Sequence, residues 1–200
     1  MSKNAPGVRY AEIERETSET RIRVVVDLDG PTKHDAATGI GIFDHLLQQI
    51  AFHGQIVLSV SAEGDLEVDE HHVVEDVGIV LGQAIAMALD LEEQIARYGS
   101  NNTPMDDALV LCALDISGRG GVYWDVPFSR ERIGDLATES IQEFFGALSR
   151  HAGLTLHFKK MAGHNDHHLC IALFRAFGLA LSQACQRQER RSSSTKGTRG

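Results

Sequence analysis

The stretch Asp69-Glu70-His71-His72-Val73-Val74-Glu75-Asp76, which leads into an apolar run ending at Leu91, decides the fold and the chemistry of this chain. His71 and Glu75 are one helical turn apart, so they share a helix face and can reach one metal ion together. His72 is rotated by about 100° and serves something else. Imidazole and carboxylate suit cations such as Zn²⁺, Mn²⁺ or Fe²⁺. Taken alone, the stretch also fits a solvated helix start whose acids the macrodipole favours.

The pattern recurs 96 residues further on, where His164-Asn165-Asp166-His167-His168 leads into a second apolar run. Each His pair also has a similar segment upstream of it. Phe43-Asp44-His45-Leu46-Leu47 precedes the first pair, and Gln142-Glu143-Phe144-Phe145 precedes the second. Two copies of one unit indicate an internal duplication. A His pair in equivalent places of both copies strengthens the prediction of metal binding.

Bulk composition narrows the class of protein. The chain has 200 residues, 42% of them hydrophobic, which is enough for one well-packed domain or two fused halves. Its net charge of −9 argues against generic nucleic-acid binding. The three cysteines lie in apolar contexts without paired spacing and are expected to be reduced core thiols. We find no apolar leader and no run of membrane-spanning length, so we expect a soluble cytoplasmic protein without nucleic-acid or membrane partners.

Hydrophobic periodicity predicts an α/β (α+β) fold of two similar halves, each with two helices on one face of a mostly antiparallel sheet. The halves are residues 1–98 and 99–189, together one compact domain, followed by a basic flexible tail at 190–200. Asp44 is a candidate N-cap, and residues 97–102 have turn chemistry. The predicted strands are 10–15, 21–29, 55–62, 109–116, 122–126 and 154–159; the predicted helices are 44–52, the His-pair helix from 71, 138–150 and 166–187.

A glycine-rich segment, Ser117-Gly118-Arg119-Gly120-Gly121, separates two predicted strands. Its glycines permit close backbone approach to an anion, with Arg119 beside it. An ordinary glycine-rich hairpin explains the same residues.

With these motifs in view, the chain resembles the imidazoleglycerol-phosphate dehydratase family over nearly its whole length. That family removes water from imidazole glycerol phosphate to give imidazole acetol phosphate in histidine biosynthesis. The resemblance implies a duplicated ribosomal-protein-S5-like fold and two Mn²⁺-type ions per active site. It also implies sites built between subunits of a 24-chain assembly. The matching segments include residues 15–20, 27–30, 38–40, 43–47, 69–78, 97–99, 104–108, 114–119, 155–157, 165–168 and 194–197.

The resemblance also implies roles for individual residues. Ions held by the chain would act as template and Lewis acid towards the imidazole ring of the substrate. Two acids, Glu19 and Asp106, would handle protons or the leaving water. The implied metal ligands are His45, His71, His72, Glu75, His167 and His168, with Glu143 as a further candidate, and the implied phosphate-binding residues are Arg97, Arg119, Arg175, Ser194 and Lys196.

The chain departs from the family pattern at four positions. Ile171 replaces the carboxylate of the second HHxxE motif, and Glu143 stands where the family usually has His. Arg175 replaces a Lys, which keeps the charge but changes the geometry, and Gly120 replaces a Pro. Two interpretations follow. One is a working dehydratase with an altered second metal site, and the other is a catalytically weak or inactive relative that keeps the fold, the assembly and partial ligand binding. A metal buffer without substrate has little support, because the phosphate-binding residues persist.

Overall fold

The computed structural model describes residues 8–89 and 94–188 and contains one strand-and-helix unit twice. The β7–α3 connection of the second unit carries an additional small hairpin. The first unit consists of β1 (Tyr10–Glu16), β2 (Thr20–Asp27), β3 (Lys33–Ala37), α1 (Gly41–Gly54), β4 (Val57–Gly64) and α2 (His71–Ala88). The second consists of β5 (Tyr98–Met105), β6 (Ala108–Ile116), β7 (Gly121–Asp125), the hairpin β8 (Arg132–Ile133) and β9 (Leu136–Ala137), α3 (Thr138–Ala152), β10 (Leu154–Ala162) and α4 (Asp166–Ala184).

The two four-stranded sheets have the same topology, β1-β2-β4-β3 in the first unit and β5-β6-β10-β7 in the second. In each sheet two neighbouring pairs are antiparallel, and the third pair, β3 with β4 or β7 with β10, is parallel. The predicted class is therefore confirmed: a mixed α/β fold with mostly antiparallel sheets, built by duplication.

The helices lie between the two sheets, because each helix packs both on its own sheet and on a helix of the other unit. α1 contacts α4, and α2 contacts α3. The inward faces of the strands alternate with exposed positions, as Ile22, Val24 and Val26 do along β2. Phenylalanine rings fill the centre, where Phe144 of α3 packs edge-on against Phe43 of α1 and stacks on Phe174 of α4. This shared core fixes the helices of one unit against those of the other.

The turn predicted at residues 97–102 is wrong, because most of this segment belongs to strand β5. Its small and polar residues serve contact with α4 instead of a turn. A Cβ at Gly99 would lie 1.9 Å from the Ala180 carbonyl oxygen. Asn101 donates from Nδ2 to the Ala176 carbonyl oxygen over 2.9 Å. The strand needs these residues to lie directly on the helix.

Two further expectations need correction. Asp44 lies inside α1, which begins at Gly41, and its carboxylate accepts hydrogen bonds from the amide and hydroxyl of Thr38. α4 ends at Ala184, and the following residues pair with the segment before β5, where Ala96 N donates to the Gln186 carbonyl oxygen. The three cysteines are free and buried, as expected. None of the helices within residues 8–89 and 94–188 is long and apolar enough to cross a membrane.

Candidate active site

The first His pair begins helix α2 and presents two different faces. His71 Nε2 lies 3.7 Å from Glu75 Oε2, and both side chains are partly exposed. Two ligands bound about 2.1 Å from one ion lie no more than about 4.2 Å apart, so this pair fits a shared metal ion. The geometry confirms the prediction that His71 and Glu75 share one helix face.

His72 faces away from that pair, towards two carboxylates. Its Nδ1 lies 3.1 Å from Asp65 Oδ2 in the β4–α2 connection and 3.9 Å from Glu19 Oε2 in the β1–β2 hairpin. The hydrogen bond with Asp65, reinforced by the negative charge of Glu19, raises the pKa of His72. An imidazole whose Nδ1–H is held by a carboxylate presents Nε2 to a ligand. A buried carboxylate on α2, Asp76, accepts from the Thr20 hydroxyl and so fixes the hairpin that carries Glu19.

The second His pair repeats this arrangement with different elements. His168 Nδ1 lies 2.7 Å from Asp107 Oδ1 in the β5–β6 hairpin, and its Nε2 lies 3.5 Å from Asp106 Oδ2. Backbone hydrogen bonds from His164 and Asn165, together with His168, lower the pKa of Asp107. In both halves, therefore, a predicted acid stands beside the second His of the pair, and a neighbouring carboxylate holds its Nδ1.

Sequence reasoning missed Asp65 and Asp107, the two carboxylates that hold His72 and His168. Asp65 precedes His72 by seven residues and Asp107 precedes His168 by 61, and the folded loops bring each pair together. The usable signal was general: a metal-binding His commonly donates its other ring N–H to a carboxylate.

The other candidate ligands divide between two helix pairs. His45 is exposed on α1, which packs with α4, the helix that carries exposed His167 and buried Ile171. Glu143 is exposed on α3, which packs with α2. Arg150, on the same side of α3, reaches Glu75 Oε1 at 3.5 Å. Within one chain, positions 143 and 171 thus belong to different helix pairs.

Two of the candidate phosphate-binding residues lie at the far end of the second sheet. Arg97 forms a two-point ion pair with Asp115, in which Nε and Nη2 lie 2.6 and 3.1 Å from the two carboxylate oxygens. This pairing raises the pKa of Arg97, and the arginine is 9% exposed. Its carbonyl oxygen accepts from Ile116 N at the end of β6. Arg119 is exposed in the loop that follows β6. In that loop Gly120 packs on α3, since a Cβ there would lie 2.3 Å from Arg150 Cα.

Arg175 lies at the opposite end, on α4 beyond the second His pair. Its Nε donates to Gln49 Oε1 over 2.9 Å, and its Nη1 contacts Met105 Sδ at 3.3 Å. Ser194 and Lys196 lie outside the described residues.

No group of three or more His, Cys, Asp or Glu side chains converges on a metal-sized site within residues 8–89 and 94–188 of one chain. Pairs of donors are present, such as His71 with Glu75, but a complete shell is not.

Comparison with known proteins gives one consistent result. The family model for imidazoleglycerol-phosphate dehydratase matches residues 38–181. A protein of that name from Moorella thermoacetica is 53% identical over 191 residues, covering 94% of this chain and 97% of that protein. A protein of the same name from Acetivibrio thermocellus is 49% identical, and the match covers 94% of this chain and 98% of that protein. The crystal structure of imidazoleglycerol-phosphate dehydratase from Staphylococcus aureus superposes with a TM-score of 0.81 at 33% identity, covering 90% of this chain and 99% of that one. The crystal structure of IGPD from Pyrococcus furiosus in complex with (S)-C348 superposes with a TM-score of 0.81 at 36% sequence identity. The match covers 93% of this chain and 99% of that one.

Proposed function

Because the chain belongs to the imidazoleglycerol-phosphate dehydratase family, it is a lyase that converts imidazole glycerol phosphate to imidazole acetol phosphate in histidine biosynthesis, and we propose that it works at metal-dependent sites shared between copies of the chain. Each site takes two divalent ions, most simply Mn²⁺. The copies form a closed assembly of 24 chains in the cytoplasm.

The proposal of a shared site rests on one observation: the metal-side residues and the phosphate-side residues lie at opposite ends of strand β6. Asp106 and His168 lie at its Ala108 end, whereas Arg97 and Arg119 lie beyond Ile116. Eight steps along a strand span about 26 Å. Only three carbons separate the ring and the phosphate of the substrate. The metal-side and phosphate-side residues of one chain therefore serve different substrate molecules, and a second copy completes each site.

The donor set fits a divalent ion. His71 and Glu75 can share one ion, and His72 and His168 each have Nδ1 facing a carboxylate, which leaves Nε2 as the ring nitrogen directed to a metal; in His168 the Nε2 atom now faces Asp106. The remaining candidate ligands, His45, Glu143 and His167, are exposed, so they are available to a neighbouring copy. When bound, the ions supply Lewis acidity towards the imidazole ring and a template for the substrate.

The chain's own acids handle the protons. Glu19 and Asp106 are 53% and 67% exposed and stand on hairpins beside the second His of each pair. Each carboxylate oxygen is in position to accept a substrate proton or to deliver one to the leaving hydroxyl. Arg119, exposed, and Arg175, from the metal side of another copy, hold the phosphate by charge-assisted hydrogen bonds, together with Ser194 and Lys196. Arg97 contributes once its pairing with Asp115 is shared with the phosphate.

The altered second metal site raises the alternative that this chain is an inactive relative of the enzyme. Ile171 leaves the ion of the second His pair without the family carboxylate, and Glu143 gives the other helix pair a carboxylate where an imidazole is usual. An inactive relative finds no support in the comparisons, since the similar proteins are named as the enzyme. We therefore assign a working dehydratase whose second ion has an open ligand position.

Turnover tests this function directly. Protein purified without chelator and reconstituted with Mn²⁺ should convert imidazole glycerol phosphate to imidazole acetol phosphate, and His71→Ala should abolish both turnover and one metal equivalent. Light scattering should give a mass far above a dimer. Absence of turnover in a fully metal-loaded, closed assembly would favour the inactive relative.

A further inference from the structure

The connection between β7 and α3 contains a feature that the two halves do not share. In the first unit only three residues separate β3 from α1, whereas twelve separate β7 from α3. We call residues 127–137 of this longer connection the strap. It includes the small hairpin β8–β9 and is anchored in the core by Ile133 and Leu136, which are 6% and 0% exposed.

One end of the strap is bound by a carboxylate next to the second His pair. Asp166, the first residue of α4, is 1% exposed, and its Oδ2 accepts from Ser129 N and Oγ and from Arg130 N, at 2.7–2.8 Å. Its Oδ1 is buried and has no hydrogen-bond partner among the described residues. The strap therefore supplies every hydrogen bond that this carboxylate is seen to accept. His167 follows it directly in the chain.

The other end is bound by a carboxylate next to the first His pair. Glu70, which precedes α2 and is 6% exposed, accepts from Ala137 N at 2.7 Å and from Arg132 Nη2 at 3.1 Å. Glu70 and Asp166 hold the same place relative to the two His pairs of the duplication. The strap thus joins the two units at equivalent points.

The tip of the strap reaches a third helix. Asp135 Oδ2 accepts from Gly41 N, the first amide of α1, at 3.1 Å. The residue at the N-cap position of α1, Ile40, makes no side-chain capping bond, so an acid 94 residues away in sequence takes over that role. α3 begins where the strap ends, and its first residue, Thr138, donates from Oγ1 to the Arg130 carbonyl oxygen at 2.9 Å.

We propose that the strap is a positioning element that holds the N-terminal ends of all four helices together, with Glu70, Asp135 and Asp166 as its positioning residues. Every metal ligand assigned above lies on one of these helices, within five residues of a strap contact. The inference rests on the proposed metal-dependent function. In this account the strap sets the spacing between the ligands of the two helix pairs without contacting metal or substrate. Loosening it weakens metal binding while every ligand is retained.

The test uses the full chain and two measurements. Asp135→Ala removes an exposed acceptor, so folding is not at risk, and Asp125→Ala is the matched control. Asp125 is an exposed acid just before the strap whose partner, Lys159 at 3.2 Å, is also exposed. Hydrogen exchange of the metal-free protein should show about fivefold faster exchange in the first turn of α1 for Asp135→Ala, as expected from one lost hydrogen bond, and none for the control. Mn²⁺ titration followed by electron paramagnetic resonance should show roughly tenfold weaker binding, the scale of a lost supporting contact.

Conservative variants separate positioning from a merely structural role. Asp135→Asn keeps an oxygen acceptor and should restore most of the Mn²⁺ affinity. Glu70→Ala and Asp166→Ala, which remove the acceptors of two and three hydrogen bonds, should weaken Mn²⁺ binding more than Asp135→Ala does. Mn²⁺ affinity equal to that of the wild-type protein in Asp135→Ala would overturn the inference. If the wild-type protein binds no Mn²⁺, the proposed function fails instead, and the exchange measurement alone then decides whether the strap holds the helix ends.

Discussion

Replacing Ile171 with Glu restores the carboxylate that the second His pair lacks. From the structure we can work out how much this substitution destabilises the metal-free protein. Ile171 is 1% exposed, so the substitution loses about 2 kcal/mol of apolar burial. A carboxyl group in that environment takes up a proton, and burying it in its neutral form costs roughly another 2 kcal/mol. The loss of about 4 kcal/mol should lower the melting temperature of the metal-free protein by about 10 °C.

Metal should reverse most of that loss. Position 171 stands one turn after His167, as Glu75 stands one turn after His71, and that pair lies 3.7 Å apart. Mn²⁺ at about 100 times its dissociation constant stabilises a site by roughly 2.7 kcal/mol. Thermal unfolding with and without Mn²⁺, at one protein concentration, measures both effects. Ile171→Gln is the matched control, because the Gln side chain has the same shape as Glu but carries no charge. The reasoning is refuted if Mn²⁺ raises the melting temperature of Ile171→Glu by no more than it raises that of Ile171→Gln and wild type.

The other predictions concern the substrate and the protons. Arg119→Ala should raise KM while leaving the Mn²⁺ content unchanged, and an unchanged KM would remove this residue from the phosphate site. Truncation after Arg191 should also raise KM strongly; kinetics like those of the full chain would show that the removed residues do not bind substrate. Mn²⁺ affinity should fall as pH drops from about 7.5 to about 6, because protons compete for imidazole. The raised pKa of His72 makes this loss begin at a higher pH, so Asp65→Asn should move its onset to lower pH. An onset that does not move would show that Asp65 has no influence on the metal site.

The features that sequence predicted best depend on local periodicity or on repetition. Helical spacing alone brings His71 and Glu75 to one face, and the second His pair indicates the duplication from the sequence alone. The alternating apolar residues of β2 and the continuous apolar run of β6 likewise predict strands from local sequence. These signals need only neighbours in the chain.

What sequence could not predict depends on contacts between distant segments. Gly99 and its polar neighbours have turn chemistry, yet the demand for close contact with α4 makes them a strand. The carboxylate that holds His168 comes from a hairpin about sixty residues earlier, and no periodicity marks it. The placement of Arg97 and Arg119 at the opposite end of β6 from Asp106 follows only from the strand pairing. That placement is the basis of the proposed shared site.

Subunit complementation tests the shared site most directly. His71→Ala inactivates the metal side of a chain, and Arg119→Ala weakens the phosphate side. The two variants are unfolded together, refolded with Mn²⁺ into mixed assemblies, and assayed at low substrate concentration. If the two sides of each site come from different chains, random mixing leaves about a quarter of the sites intact, so the mixture should regain roughly a quarter of wild-type activity. Activity in the mixture no higher than the average of the two variants assayed separately would contradict the account.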